Sequence, residues 1–426
     1  MNDSLDSVSV DLRQVMLGIA TALDAVGVDD IHHGHRVGYI AYQCAKRMGW
    51  DEELAQMAFG AGLIHDCGVS QETERRQLLS QLIPEDTLHH CRKGYELVEA
   101  CKPISALSKA ILYHHTHWIE LSRVSGIDDL DKQLAALIFL SDRIDYLFVH
   151  SKPDQFGNIT SRDKTAIIDE LISRSGLVFE PNMVVHMCEL ITTDDFWFSM
   201  EANHIESLVA RLPEVRFFDS HTGLDQTIEM AELLAKIIDA KSPFTFQHSK
   251  HVAELSAFFG QALGYSEKMQ RMLYLSGLLH DIGKIKTPSS VLHKPSSLNE
   301  EEYACIKRHS TDTRFALQGM IRSKQVVSWA ANHHERLDGS GYPLGKVAKE
   351  LDKPSRLIAV ADVFQALTQS RPYRDGLSLE DTMTILHQQA NQGLLDAQVV
   401  ECLERNKQVC YQISIGEIGF FQTSNS

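Results

Sequence analysis

The amino-acid sequence predicts an all-α protein built as a tandem of two related helical domains, and three observations carry that prediction. Apolar residues recur at helical spacing, as in Val10, Leu12, Val15, Leu17, Ile19, Ala22 and Leu23. The strict apolar/polar alternation of half-buried strands is scarce throughout. The first half of the chain also reappears in the second at a fixed register. Asp24 and Asp239, His33 and His248, Val37 and Val252, Gly49 and Gly264, Gly62 and Gly277, and His65-Asp66 and His280-Asp281 are all 215 residues apart.

Taken in order, a helix is expected from Val8 to Val26. Asp29 to His35 breaks the pattern and brings His32, His33 and His35, which read as ordinary polar or structural histidines except for His33, the residue in register with His248. A helix from Val37 to Met48 stops at Gly49, and another from Glu52 to Ile64 ends at His65-Asp66-Cys67-Gly68. The join falls between Ala202 and Leu224, around Pro213, which gives domains at 1–205 and 206–426. In the second copy the mostly apolar run Met272 to Leu279 ends at His280-Asp281-Ile282-Gly283-Lys284. Gly283 is expected to let the chain turn there.

Length and composition set bounds on function. With 426 residues there is room for two full cores, and 43% hydrophobic residues is ordinary for a soluble protein. There is no run of eighteen apolar residues, and the N-terminus lacks the basic and apolar regions of a signal peptide, so no membrane partner and a cytoplasmic location are expected. The eight cysteines form no CxxC pair and read as reduced, buried thiols. A formal net charge of −16 argues against long nucleic acid as a partner. It leaves room for a small anion bound where cations are concentrated.

An Asp at the end of an apolar helix costs several kcal/mol in desolvation unless something neutralises it, and an adjacent imidazole suggests a metal. One such pair is weak evidence. Here His248, His280, Asp281, His309, His333, His334 and Asp362 make seven N/O ligands, enough for two metals. Asp281, with two carboxylate oxygens, is the natural bridge. His248, His280 and Asp362 go to one ion, and His309, His333 and His334 to the other. This donor set suits Fe or Mn, with Zn and Ni as alternatives.

His280-Asp281-Ile282-Gly283-Lys284, followed by His333-His334 and Gly341-Tyr342-Pro343, resembles the HD-GYP family over residues 224–403. That resemblance implies an HD-type fold in both copies, with the second an HD-GYP domain, and metal-dependent hydrolysis of a cyclic dinucleotide to a linear 5′-phosphorylated product. The tandem layout resembles the members that degrade 3′3′-cyclic GMP–AMP, with cyclic di-GMP as the alternative substrate. Lys284 matches the lysine that faces the scissile phosphate, and Arg371 and Arg374 the basic pair that holds the other phosphate. Tyr342 would stack on a base or a partner, and Arg314 is a further substrate candidate. A homodimer, or a signalling protein met by the Gly341-Tyr342-Pro343 loop, is the partner expectation beside the substrate. Many members place a glutamate for a third metal where this chain has Phe244, with Asp29 at the equivalent place in the first copy. Ser310 and Thr313 depart from the usual Pro and Gly after the third histidine.

The first copy keeps a ligand register in His33, His65, Asp66, His90, His114, His115 and Asp142, a candidate non-catalytic metal site. It loses the anion-binding groups: Val69 stands for Lys284, and Ser151 and Asp154 stand for Arg371 and Arg374. Two rival readings remain, a nucleotidase or dNTPase of the wider HD superfamily and a non-catalytic signalling scaffold. The first has no need of Gly341-Tyr342-Pro343 with Arg371 and Arg374, and the intact Lys284 and ligand set speak against the second.

Overall fold

The computed structural model describes all residues except 1–6, 25–31, 70–73, 75, 76, 79, 86, 152–157, 219–222, 241–244, 293, 295, 371–374 and 421–426. Phe244, Asp29, Asp154, Arg371 and Arg374 therefore lie outside the described residues. Among those described, the protein is helical, with isolated β-bridges and no extended strand. Two compact units emerge, Leu12–His221, and Met1–Asp11 with Thr222–Ser426. Domains at 1–205 and 206–426 are the expectation from sequence; here the second unit begins at Thr222 and also takes Met1–Asp11, and hydrogen bonding accompanies this placement. The Arg13 guanidinium and the Gln56 amide both donate to the Pro213 carbonyl, which fastens that stretch to the first unit. Asp11 N–H donates to Met320 O and Arg322 N–H to Ser9 O, so the first residues of the chain add to the second unit.

In the first unit α1 spans Leu12–Asp24, α2 His33–Arg47, α3 Glu52–Ile64, α4 Leu88–Glu99, α5 Ser108–Tyr113 and α6 Asp129–His150. In the second, α7 spans Leu224–Ala240, α8 Thr245–Ala262, α9 Glu267–Leu279, α10 Glu300–Met320, α11 Lys324–Ala331 and α12 Lys353–Thr368. The starts are capped as the local chemistry demands. Asp51 accepts from Leu54 N–H, Ser266 from Met269 N–H, and Asn299 forms a reciprocal capping box with Glu302.

The same packing recurs in both units, α2 against α3 and α6, and α8 against α9 and α12. Gly62 and Gly277 make the close pairing feasible: a Cβ there would stand 2.7 Å from Gly38 Cα and 2.8 Å from Ala253 Cα. Phe59 on α3, Phe139 on α6, Phe259 on α8 and Phe364 on α12 are fully buried. Each contributes roughly 1.5–3 kcal/mol by leaving water. These cores fix the helix ends from which the candidate site residues project. No described helix is long and apolar enough to cross a membrane.

Candidate metal centre

The second unit brings all seven candidate ligands together. His248 projects from α8, His280 caps α9, Asp281 opens the 3₁₀ turn Ile282–Lys286, His309 lies on α10, His333 and His334 follow α11, and Asp362 lies on α12. The Asp281 carboxylate faces two histidine sets with different oxygens. Its Oδ2 lies 3.3 Å from His280 Nε2 and 3.5 Å from His248 Nε2, whereas Oδ1 lies 3.4 Å from His309 Nε2 and 3.7 Å from His333 Nε2. Asp362 Oδ1 stands 3.2 Å from His248 Nε2, and its Oδ2 is 3.7 Å from His334 Nδ1.

The local fold also sets the tautomers. The last turn of a helix leaves carbonyls without partners, and a histidine placed there can donate Nδ1–H back to one of them. His280 does so to Gly277 O at 2.6 Å and His333 to Ala330 O at 2.7 Å, while His309, within α10, donates to Ile306 O at 2.6 Å. Each neutral ring then presents an Nε2 lone pair to the centre. His248 is oriented by Gln365, whose Oε1 accepts from Nδ1 at 2.5 Å.

These lone pairs face one another. His248 and His280 bring their Nε2 atoms to 3.2 Å, and His309 and His333 to 3.1 Å, while the buried Asp281 Oδ1 has no hydrogen-bond partner. Acceptors converging in a buried space require a proton or a cation between them. Burial drives His309 down to about 4 against the pull of Asp281, and His334 down to about 3 against that of Asp362. Burial together with the adjacent His334 holds His333 well below its ordinary range. Burial opposes ionisation of Asp281 and Asp362, yet the surrounding histidines, and Lys284 at Asp281, hold both carboxyls well below theirs. Burial opposes protonation of His248 as well, but Asp281 and Asp362 pull it up to about 9, so a proton there stands in for a cation. Neutral His309, His333 and His334 with ionised carboxylates fit a donor set for divalent ions.

Lys284 Nζ lies 2.5 Å from Asp281 Oδ2 and its side chain is partly exposed, so it reaches the rim of the centre. Gly283 serves space and not the expected turn. Its backbone is not left-handed, and a Cβ there would fall 2.1 Å from His309 O. Tyr342 lies over the centre, its ring 4.7 Å from that of His334 and 6.3 Å from that of His309, and Leu344 is an exposed large apolar residue of that loop. Buried Glu335 holds the loop by accepting from Leu344 N–H at 2.8 Å and Lys346 N–H at 2.9 Å. Arg314 lines a cavity of about 830 Å³ with Arg322, Lys324 and Lys346, to which none of the seven candidate ligands contributes.

Known proteins share this arrangement. Residues 232–399 and 31–147 each match a family model described as an HD domain. A 3′3′-cGAMP-specific phosphodiesterase 1 of Vibrio cholerae is 50% identical over 96% of this chain and 95% of its own length. The chain belongs to the HD-GYP family. A cyclic di-GMP phosphodiesterase response regulator of Xanthomonas campestris is 36% identical over 44% of this chain and 50% of its own. The crystal structure of a cyclic GMP–AMP specific phosphodiesterase of V. cholerae superposes with a TM-score of 0.60 at 21% identity, covering 93% of this chain and 97% of that one. This last likeness shows that the tandem fold is shared.

In this HD-GYP protein the first unit also assembles its seven residues, with different surroundings. His65 donates Nδ1–H to Gly62 O at 2.8 Å and His114 to Ile111 O at 2.6 Å, as their counterparts do. His33 Nδ1, however, pairs with Asp145 Oδ2 at 2.7 Å, and Arg36 Nη2 reaches the same oxygen at 3.0 Å. Arg143 ion-pairs with Asp142 and donates to the Gln81 and Leu82 carbonyls at 3.1 Å. Val69, where the second unit has Lys284, is buried. Sequence reasoning missed Arg36, Arg143, Asp145, Gln365 and Glu335. Gln365 lies 220 residues after Asp145, the same offset that links Asp362 to Asp142, so the repeat register could have found that pair.

Proposed function

We propose that the second unit hydrolyses one phosphodiester bond of a cyclic dinucleotide, 3′3′-cyclic GMP–AMP in preference to cyclic di-GMP, and releases a linear 5′-phosphorylated product. The observation that carries this is the Asp281 carboxylate, buried between two histidine sets with one oxygen toward each. Support for the substrate comes from the relative that shares half its residues with this chain over nearly its whole length.

His248, His280, Asp362 and Asp281 Oδ2 would hold one divalent ion, and His309, His333, His334 and Asp281 Oδ1 a second, with Fe or Mn preferred and Zn or Ni as alternatives. Two such ions supply Lewis acidity at the phosphoryl oxygens and lower the pKa of a water molecule. The chain's own residues do the rest. Lys284, at the rim, offsets negative charge that grows on the phosphate in the transition state, and its hold on Asp281 keeps the ammonium in place. Gln365 and the helix-end carbonyls fix the imidazole orientations before substrate arrives. Tyr342 offers a ring face beside the centre for a base. Arg371 and Arg374 would clamp the second phosphate with their guanidinium forks. The loop around Leu344 would serve any homodimer or signalling partner.

Incubation of purified protein, loaded with Mn or Fe(II), with a panel of cyclic dinucleotides and mononucleotides tests this. The expected result is a linear dinucleotide from 3′3′-cyclic GMP–AMP faster than from cyclic di-GMP. Turnover of mononucleotides alone would replace the proposal with a nucleotidase.

A further inference from the structure

We infer that the first unit carries a single-ion structural site for a zinc-class divalent cation, held by Asp66, His90, His114 and His115. In the second unit His309, His333 and His334 gather at one position, with Asp281 Oδ1 3.4 Å from His309 Nε2. At the matching position of the first unit four donors gather, with one atom from each of Asp66, His90, His114 and His115 within 4.8 Å of the others. Asp66 Oδ1 lies 3.8 Å from His114 Nε2 and 3.9 Å from His90 Nε2. Asp66 Oδ1, His114 Nε2 and His115 Nδ1 are all buried without a hydrogen-bond partner. His90 and His114 are 1% and 0% exposed, so bulk water does not satisfy them. Three buried lone-pair atoms left unmet in one space are costly without a cation between them.

Charge bookkeeping within the unit points to the same place. Asp142 is neutralised by Arg143 and Asp145 by Arg36, whereas among the described residues the ion pairs of Asp66 are with histidines. Its buried, unpartnered Oδ1 favours a counter-charge. The neighbouring position, around His33 and His65, is the looser one. His33 Nε2 lies 3.6 Å from Asp142 and 4.0 Å from Asp66, against 3.2 Å and 3.5 Å for the equivalent contacts of His248. Arg143, which has Val363 at its register position, already supplies the positive charge that a second ion would bring.

The donor chemistry selects the ion class. Three imidazoles and one carboxylate are the donor types that His309, His333, His334 and Asp281 supply in the second unit, and four such ligands suit a four-coordinate zinc-class ion. The structural role follows from Val69 and Arg143, which leave this ion without a second ion or a rim cation beside it.

The test counts ions in the full-length chain by mass spectrometry after purification with zinc and dialysis against a weak chelator. In a His280→Ala/Asp281→Ala chain, which disables the second unit, one zinc per chain should remain. Adding His114→Ala should reduce this to none, and adding His33→Ala should leave it at one. Arg143→Val in the same background should raise it to two. His115→Asn serves in place of His114→Ala if that chain does not melt cooperatively, and Co(II) substituted for zinc should give the intense visible bands of a tetrahedral site that disappear with either change. A well-folded His280→Ala/Asp281→Ala chain with no zinc would overturn the inference and show that protonated His114 satisfies Asp66. Zinc lost with His33→Ala but kept with His114→Ala would overturn it as well. None of these counts depends on what the second unit hydrolyses.

Discussion

The two halves of this protein place equivalent histidines and aspartates at equivalent helix ends, yet surround them with opposite charge arrangements. In the second unit Asp281 meets two sets of lone pairs, and the protein cation paired with it among the described residues, Lys284, sits at the accessible rim. In the first, buried Arg36 and Arg143 compensate Asp145 and Asp142, and the rim position holds Val69. A ligand register alone therefore does not make a catalytic centre. What separates the two is whether positive charge is left for bound ions to supply or is built into the protein.

The sharpest way to break this comparison is to delete the matching carboxylates. Asp281→Ala should lower turnover by ~10³-fold or more while helical content persists. His65→Ala with Asp66→Ala should keep a large fraction of turnover. Full activity in a folded Asp281→Ala chain, or none in a His65→Ala/Asp66→Ala chain that melts like the wild type, would reverse the roles assigned to the units.

Next in size is Lys284→Ala, which gives the second unit the small apolar character of Val69. It should lower kcat by ~10²-fold with little change in KM, since its charge acts mainly in the transition state. Steady-state kinetics with the cyclic dinucleotide would decide, and a rise in KM alone would move Lys284 from chemistry to binding.

A smaller effect is expected at Arg374, whose register position in the first copy is Asp154. Arg374→Ala should raise KM by about tenfold, the loss of one charge-assisted contact to a phosphate, with a lesser fall in kcat. A pure kcat loss would contradict that assignment.

The smallest prediction concerns stability. Glu254, buried on α8 at the register position of Tyr39, has its carboxyl pushed up to about 7 by burial, with Lys250 pulling the other way. A group whose folded pKa is raised binds more protons when folded. Its stabilising contribution is therefore complete below the unfolded value of about 4.5 and is lost as pH rises through about 7. Glu254→Gln should raise the melting temperature by a few degrees at pH 8 and make no difference at pH 4. Equal shifts at both pH values in paired thermal melts would show that the carboxyl does not titrate with folding.

Much of this was legible in the chain itself. Helical periodicity gives the all-α class, and helices start and stop where the sequence reading puts them at Glu52 and Ile64. The 215-residue register shows the duplication, and His280-Asp281 at the end of an apolar run marks the centre. Hydrophobic spacing and helix ends act over one or two turns, and the repeat is found by comparing the chain with itself, so none of these needs knowledge of the fold. Tertiary structure decided which groups surround each ligand. Arg143 meets Asp142 beside it but is fixed by carbonyls some sixty residues away, and Asp145 reaches His33 across 112 residues. Gly283 is required because α10 passes within 2.1 Å of where a Cβ would stand, and not because the chain turns there. Charge compensation and close approach depend on which helices the cores press together, so they are set by distances in space that sequence separation does not encode.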